Sequence, residues 1–278
     1  MKRLSLQEIH SIELNLLKEL KRICEKHDLY YTLCGGTLLG AVRHQGFIPW
    51  DNDIDVLMPR PDFEKLRELI EGGKICDLPD YMEFTGWNLE HYGPFPFLKL
   101  TDFRTMVDDQ FSNIDKHIWI DIFPTDGCPD NMAELKKLYG KILRWRNILT
   151  LKCAKAGRGK NALKIITKPL VKIILLPFTT KGICRKLDCF ARRYNYINAN
   201  KIGCLAWGYG PQECIDKKKY TEPIQVEFEK IAFNAPGNYI EYLTNLYGDY
   251  MTLPPVGERK TRHEINAFLK GEQIINKE

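Results

Sequence analysis

Asp51, Asp53 and Asp55 recur at every second position of PWDNDIDVLMPR, with the apolar Ile54 and Val56 interleaved. In an extended chain alternate side chains share a face. The spacing therefore predicts a strand over 53–58 with its carboxylates on one side and Ile54 and Val56 in a core. Carboxylates two residues apart on one face repel each other unless a cation neutralises them. An oxygen-preferring divalent ion, Mg²⁺ or Mn²⁺, meets that need. Upstream, Gly35-Gly36 precede TLLGAVRH, a predicted short helix opening at Thr37. Backbone N–H groups at such a pair can approach an anion closely, and the helix dipole favours phosphate there. Each signal alone is ordinary, a turn or a solvated strand end. In this order they describe a phosphoryl-transfer site.

The elements that must position these residues are legible around them. Ser5 followed by Glu8 is a capping-box pattern, and Leu6, Ile9, Leu16, Leu20, Ile23 and His27 continue it at helical spacing, widened by Ile12 and Leu17. Residues 29–33 (LYYTL) predict a strand running into the glycine pair. A helix over 62–70 ends at Gly72-Gly73, and strands are expected at 97–101 and 118–123. Helices are expected from 132 to about 156 and over 161–178. The apolar stretch inside the latter is broken by Lys164, Lys168, Pro169, Lys172 and Pro177, which argues against a membrane span.

Composition narrows the class. Hydrophobic residues at 44% and aromatics at 11% are too many for a disordered chain. No apolar leader is visible at the N-terminus. The nine cysteines contain no Cys-x-x-Cys pair, and the nearest two, Cys184 and Cys189, lack histidines to complete a zinc set. Unpaired thiols in a reducing compartment are the expectation. From 131 to 187 fifteen Lys and Arg face the single acid Glu134, a local +14 against a chain total of +5, which leaves −9 for the remainder. The basic surface is thus regional.

The run GGTLLGAVRHQGFIPWDNDIDVLMPR closely resembles the LicD family, bacterial phosphocholine transferases related in this core to fukutin-related protein. The likeness continues in FLKLTDFRT (97–105), WIDIFPTDG (119–127) and YGDYMTLPP (247–255), so it spans about residues 25–255. It implies a nucleotidyltransferase fold, DNA polymerase beta-like. It also implies transfer of a substituted phosphate, typically phosphocholine from CDP-choline, to a glycan hydroxyl. On that basis Asp53 and Asp55 match the metal-binding pair, and Asp121, between Ile120 and Ile122, matches a third carboxylate. Asn52 departs from the family pattern, where many relatives carry an acid; its side chain is expected to face away from Asp53.

Several residues keep two readings. Asp121 either accepts the attacking hydroxyl's proton as well or is an exposed strand residue. Asp51 either orients the metal ligands or caps the strand. Lys99 neutralises phosphate or snorkels at the surface. Arg43, with His44, touches phosphate or stabilises a helix end. The expected phosphate-binding set is Gly35, Gly36, Thr37, Arg43 and Lys99. Trp87, Trp119, Trp207 and Tyr209, with Tyr92 a further face, are available for a quaternary ammonium, although each is also ordinary packing material.

The resulting expectation is an α/β protein, a small mixed sheet flanked by helices. Its catalytic core covers 1–130, a basic helical segment 131–200, and a C-terminal segment 201–278 completes one catalytic unit. Mg²⁺ is the expected cofactor and CDP-choline the donor. The expected acceptor is a lipid-linked precursor of teichoic acid or lipopolysaccharide. The basic segment, with Trp145, meets anionic lipid headgroups, holds an anionic glycan acceptor or is simply a solvated basic face; a cytoplasmic, peripheral location at the membrane's inner face, without nucleic acid, is expected. Alternatives are a CDP-ribitol or CDP-glycerol donor, transfer of a nucleoside monophosphate with release of pyrophosphate, or a catalytically silent glycan- or membrane-binding protein.

Overall fold

The capping box forms as its pattern predicts. In a computed structural model, which describes residues 1–109, 116–155, 174–261 and 265–271, the Ser5 N–H donates to the Glu8 carboxylate at 2.8 Å and the Glu8 N–H to Ser5 Oγ at 3.3 Å. After the short β1 (Lys2–Arg3), α1 (Leu6–His27) turns Ile9, Leu16, Leu20 and Ile23 into the core. Next come β2 (Thr32–Leu33), α2 (Gly35–His44), β3 (Asp55–Pro59) and α3 (Arg60–Glu71). Then follow β4 (Met82–Thr85), β5 (Leu98–Asp102), β6 (Thr105–Asp109) and the long β7 (Ile118–Cys128). α4 (Met132–Cys153) and α5 (Thr180–Ala191) precede β8 (Lys201–Gly203), β9 (Ile215–Asp216) and α6 (Lys217–Tyr220). The hairpin β10 (Ile224–Phe228) and β11 (Ile231–Ala235), α7 (Tyr239–Tyr247) and β12 (Ile265–Leu269) complete the described chain.

The main sheet runs β2-β3-β7-β5-β4, with β3 and β7 parallel and the other pairs antiparallel. The far half of β7 leaves this path and pairs with β8, which pairs with β9. α1 packs on β7 and β5 and buries Ile118, Ile120, Leu98 and Leu100. α4 and α5 pack on each other around a separate apolar cluster that includes Leu138, Ile142, Ile183 and Leu187. A three-stranded sheet joins β1, β12 and β6.

The mixed α/β class stands as expected, with four differences in detail. First, β3 begins only at Asp55, and residues 51–54 run in irregular chain. The three aspartates therefore do not share one strand face. Second, Cys128 and Cys214, separated by 86 positions, form a disulfide, which corrects the expectation of unpaired thiols for these two. The β7–β8–β9 ladder brings them together, and a Cβ on Gly203 would lie within 3.0 Å of the Cys214 sulfur. Third, β4, β6 and the strands after residue 200 carry too little periodicity to have been expected. Fourth, the helix expected over 161–178 falls almost wholly outside the described residues, as do Lys164, Lys168 and Lys172.

Candidate active site

Strand register assembles the site. Asp55 on β3 pairs with Asp121 on β7, Asp121 with Lys99 on β5, and Lys99 with Thr85 on β4. Register partners on neighbouring strands project to the same face. One row of functional side chains thus crosses four strands. Asp55 is fixed at its start, because its N–H donates to Thr37 Oγ1 at 2.8 Å and its carbonyl accepts from Cys34 N–H at 3.2 Å. Thr37, expected among the phosphate binders, ties helix α2 to strand β3.

The glycines bring the first turn of α2 against the carboxylates. Gly35 sits at φ 53°, and a Cβ there would lie 3.4 Å from Asp55 Oδ2 and 3.5 Å from the Tyr209 hydroxyl. A Cβ on Gly36 would lie 2.8 Å from Asp51 Oδ2. Glycine takes the left-handed backbone at position 35 without strain and, at position 36, leaves room for the close approach of Asp51 Oδ2. The partial positive charge at the N-terminus of a ten-residue helix then faces the acids. The Gly35 N–H itself donates to the Tyr242 hydroxyl at 3.3 Å.

Lys99 is buried, with 4% of its surface exposed, so the snorkelling alternative falls away. Its ammonium lies 3.1 Å from Asp121 Oδ1 and 4.1 Å from the centre of the Trp119 ring. Phe95 and Phe97 supply two further faces at 4.8 and 5.7 Å. The Trp119 face expected for a quaternary ammonium therefore carries Lys99 instead. Trp207 packs against Phe97 and lies under the Arg146 guanidinium, 4.6 Å away. Trp87 packs against the α4–α5 cluster. Of the four expected aromatics, Tyr209 lines the main cavity.

That cavity, about 600 Å³, opens beside Gly36, Asp51, Asp53 and Tyr209. Arg43 also lines it, and its Nη1 donates to the Tyr250 carbonyl at 2.8 Å. Sequence reasoning missed Trp50, Tyr247, Tyr250 and Lys260 on its walls. Two of these, Tyr247 and Tyr250, lie in YGDYMTLPP, so that string's likeness to the family was the signal. Tyr92 lines a different cleft and hydrogen-bonds Thr180. Asn52 bonds Thr261.

Glu13 was also missed. It is 2% exposed, and its Oε2 has no hydrogen-bond partner among the described residues. One turn earlier on α1, His10 Nε2–H donates to the Asp51 carbonyl at 2.7 Å, which brings this helix against the aspartate loop. The signal was available: position 13 falls between Ile9 and Leu16 on the apolar stripe, where an acid is out of place.

Electrostatics separate this cluster from ordinary surface charge. Burial, and then the charges of Asp53, Asp121 and Asp51, push the Asp55 carboxyl well above the usual carboxylate range, with Lys99 opposing. Glu13 is raised likewise by burial and then by Asp53, Asp51 and Asp121. An all-oxygen set with this much crowded negative charge fits a hard divalent cation. The described residues form no ready cage of three or more ligands.

Carboxylates in register on adjacent parallel strands, beside a glycine-led helix and a polar cavity, define a nucleotidyltransferase-type core. Residues 28–140 match the LicD/FKTN/FKRP nucleotidyltransferase domain. Over 277 residues the chain is 31% identical to the lipopolysaccharide cholinephosphotransferase LicD of Haemophilus influenzae, covering 97% of this chain and 100% of that protein. Uncharacterised proteins of Rickettsia prowazekii and Rickettsia typhi are 29% and 32% identical over 124 and 138 residues, 45% and 49% of this chain and 42% of each relative. The chain belongs to the LicD family of transferases.

Proposed function

We propose that this protein transfers phosphocholine from CDP-choline to a sugar hydroxyl of a cell-surface glycan and releases CMP. The observation that carries the reading is the Asp55–Asp121–Lys99 row beside the cavity of about 600 Å³. The full-length likeness to a lipopolysaccharide cholinephosphotransferase supports the donor and makes lipopolysaccharide the first acceptor to try, with teichoic acid the second.

Asp53, Asp55 and Asp121 would hold Mg²⁺, or Mn²⁺ in its place, with Asp51 supporting them. When bound, the ion neutralises the donor pyrophosphate and the departing phosphate of CMP. Arg43 and Lys260 stand on the cavity wall for the same anion, while Trp50, Tyr209 and Tyr247 supply flat faces for the base and the quaternary ammonium. Lys99 offsets charge on the transferred phosphoryl group. The acceptor oxygen attacks the phosphorus that bears choline, its proton passes to a carboxylate of the row, Asp121 in this reading, and the bond to the CMP oxygen breaks.

The basic stretch from 131 to 187 supports a peripheral position on an anionic bilayer, where a lipid-linked acceptor would be met. No described helix is long and apolar enough to cross a membrane. The decisive experiment incubates the protein with Mg²⁺, CDP-choline and lipopolysaccharide and identifies the released nucleotide. CMP is the expected product. Pyrophosphate released from CTP or ATP instead would replace this reading with nucleotidyl transfer.

A further inference from the structure

The row of functional side chains does not end at Lys99. It continues to Thr85, and two positions along the same strand pair Thr101 is registered with Glu83. Residues two apart on a strand share a face, so Lys99, Thr101, Thr85 and Glu83 lie on the same side of the sheet as Asp55 and Asp121. Over this continuation opens a second cleft of about 410 Å³. It shares no lining residue with the cavity beside Asp51 and Asp53. Lys99 lines this cleft and contacts Asp121, the register partner of Asp55, whose carboxylate lies beside Gly35 and Tyr209 at the edge of the first cavity.

We infer that this second cleft is the acceptor site and takes a sugar bearing a phosphate or similar anionic group. The inference rests on the transfer reading above. In-line transfer needs the attacking oxygen and the leaving group on opposite sides of the phosphorus. Two cavities flanking one row of carboxylates and lysine provide that separation, with the donor beside Asp53 and the acceptor beyond Lys99. The lining suits a sugar. Thr85, Thr101 and Glu83 offer hydroxyl and carboxylate partners, and the Tyr92 ring, 46% exposed, offers a face for stacking. Glu83 meets the His91 ring, whose protonation burial disfavours, and Lys99 is answered by Asp121. His117, at the rim, directs Nδ1 to the Thr105 carbonyl. Lys116, exposed beside it, makes no ion pair among the described residues. It therefore stands where an anionic substituent would enter.

Titrations of the full chain with glucose 6-phosphate, with glucose and, separately, with CDP-choline test this. Glucose 6-phosphate is expected to bind more tightly than glucose. Lys116→Glu, a surface change, is expected to weaken glucose 6-phosphate by about tenfold or more, leaving glucose and CDP-choline unchanged. Thr85→Val, which keeps shape and charge, is expected to weaken both sugars equally, by severalfold. Failure of wild type to bind glucose 6-phosphate, or equal binding by wild type and Lys116→Glu, overturns the assignment. Loss of CDP-choline affinity in Lys116→Glu overturns it as well, because the cleft would then belong to the donor. If CDP-choline fails to bind wild type while the glucose 6-phosphate pattern holds, the donor reading falls and the sugar cleft stands.

Discussion

Two buried charge clusters lie on this fold, and they are built on opposite principles. At the far end of β7, Asp126 is 1% exposed, and Arg60 meets it with two hydrogen bonds of 2.7 and 2.6 Å. Asp188 and Glu64 engage the same guanidinium, and Arg192 and Arg67 close the network around them. Each charge there has its answer. Five positions earlier on the same strand, Asp121 stands in register with Asp55, near Asp51, Asp53 and Glu13, and burial together with crowded negative charge raises the affinity of Asp55 and Glu13 for protons. A balanced cluster holds α3, β7 and α5 together. The overcharged one is the cluster for which we propose a divalent cation and a donor phosphate. Both aspartates belong to the single string WIDIFPTDG, so charge balance, rather than residue type, divides structure from function.

Substitutions in the two clusters should therefore move different quantities. Asp55→Asn removes charge from the crowded side. Turnover is expected to fall by a factor on the order of a thousand, while the melting temperature holds or rises, because mutual repulsion is relieved. A melting temperature that drops along with activity would make Asp55 a structural residue and break the contrast. Arg60→Met does the reverse. It leaves Asp126 buried without its partner, at a cost of about 3–5 kcal/mol, read by denaturant unfolding. The fraction that stays folded should keep its activity.

Glu213 sharpens the contrast from between these extremes. It is 3% exposed, accepts from the Tyr209 N–H at 2.8 Å and the Tyr242 hydroxyl at 3.1 Å, and has Arg146 and Tyr139 of α4 and the Cys204 and Cys34 thiols around it. Burial pushes its carboxyl up to about 7 from 4.5. The folded state thus holds this proton more tightly than the unfolded chain does. The stability it contributes is fully present below pH 4.5 and is lost as pH rises through about 7. Between those limits the stability of wild type relative to Glu213→Gln should fall by about 3 kcal/mol. A flat difference across that range would show that the partners of Glu213 offset its burial in full.

Metal addition gives the smallest expected effect. Mg²⁺ at about one hundred times its dissociation constant should stabilise the wild type by about 2.7 kcal/mol. It should leave Asp55→Asn almost unmoved in a thermal melt. Equal stabilisation of both proteins would place the ion elsewhere.

The amino-acid sequence alone carried the local features. The capping box, the apolar stripe of α1, the glycine turn before α2 and the strand DVLMP with its leading acid all depend on neighbours within a few positions. The family likeness carried Asp121 into the same site. Glu13 was legible only as an acid misplaced on an apolar stripe, and the stripe alone could not say what lay opposite. The disulfide between Cys128 and Cys214 was not legible, because the 86 positions between them close only through the β7–β8–β9 ladder. Lys99 looked like either a surface lysine or a phosphate ligand until register with Asp121 and burial removed the first reading. The reason is common to these cases. Periodicity and capping report which face a residue presents and how its backbone begins or ends. Charge balance depends on which strands pair and in what register, and that is fixed by packing between segments distant in the chain.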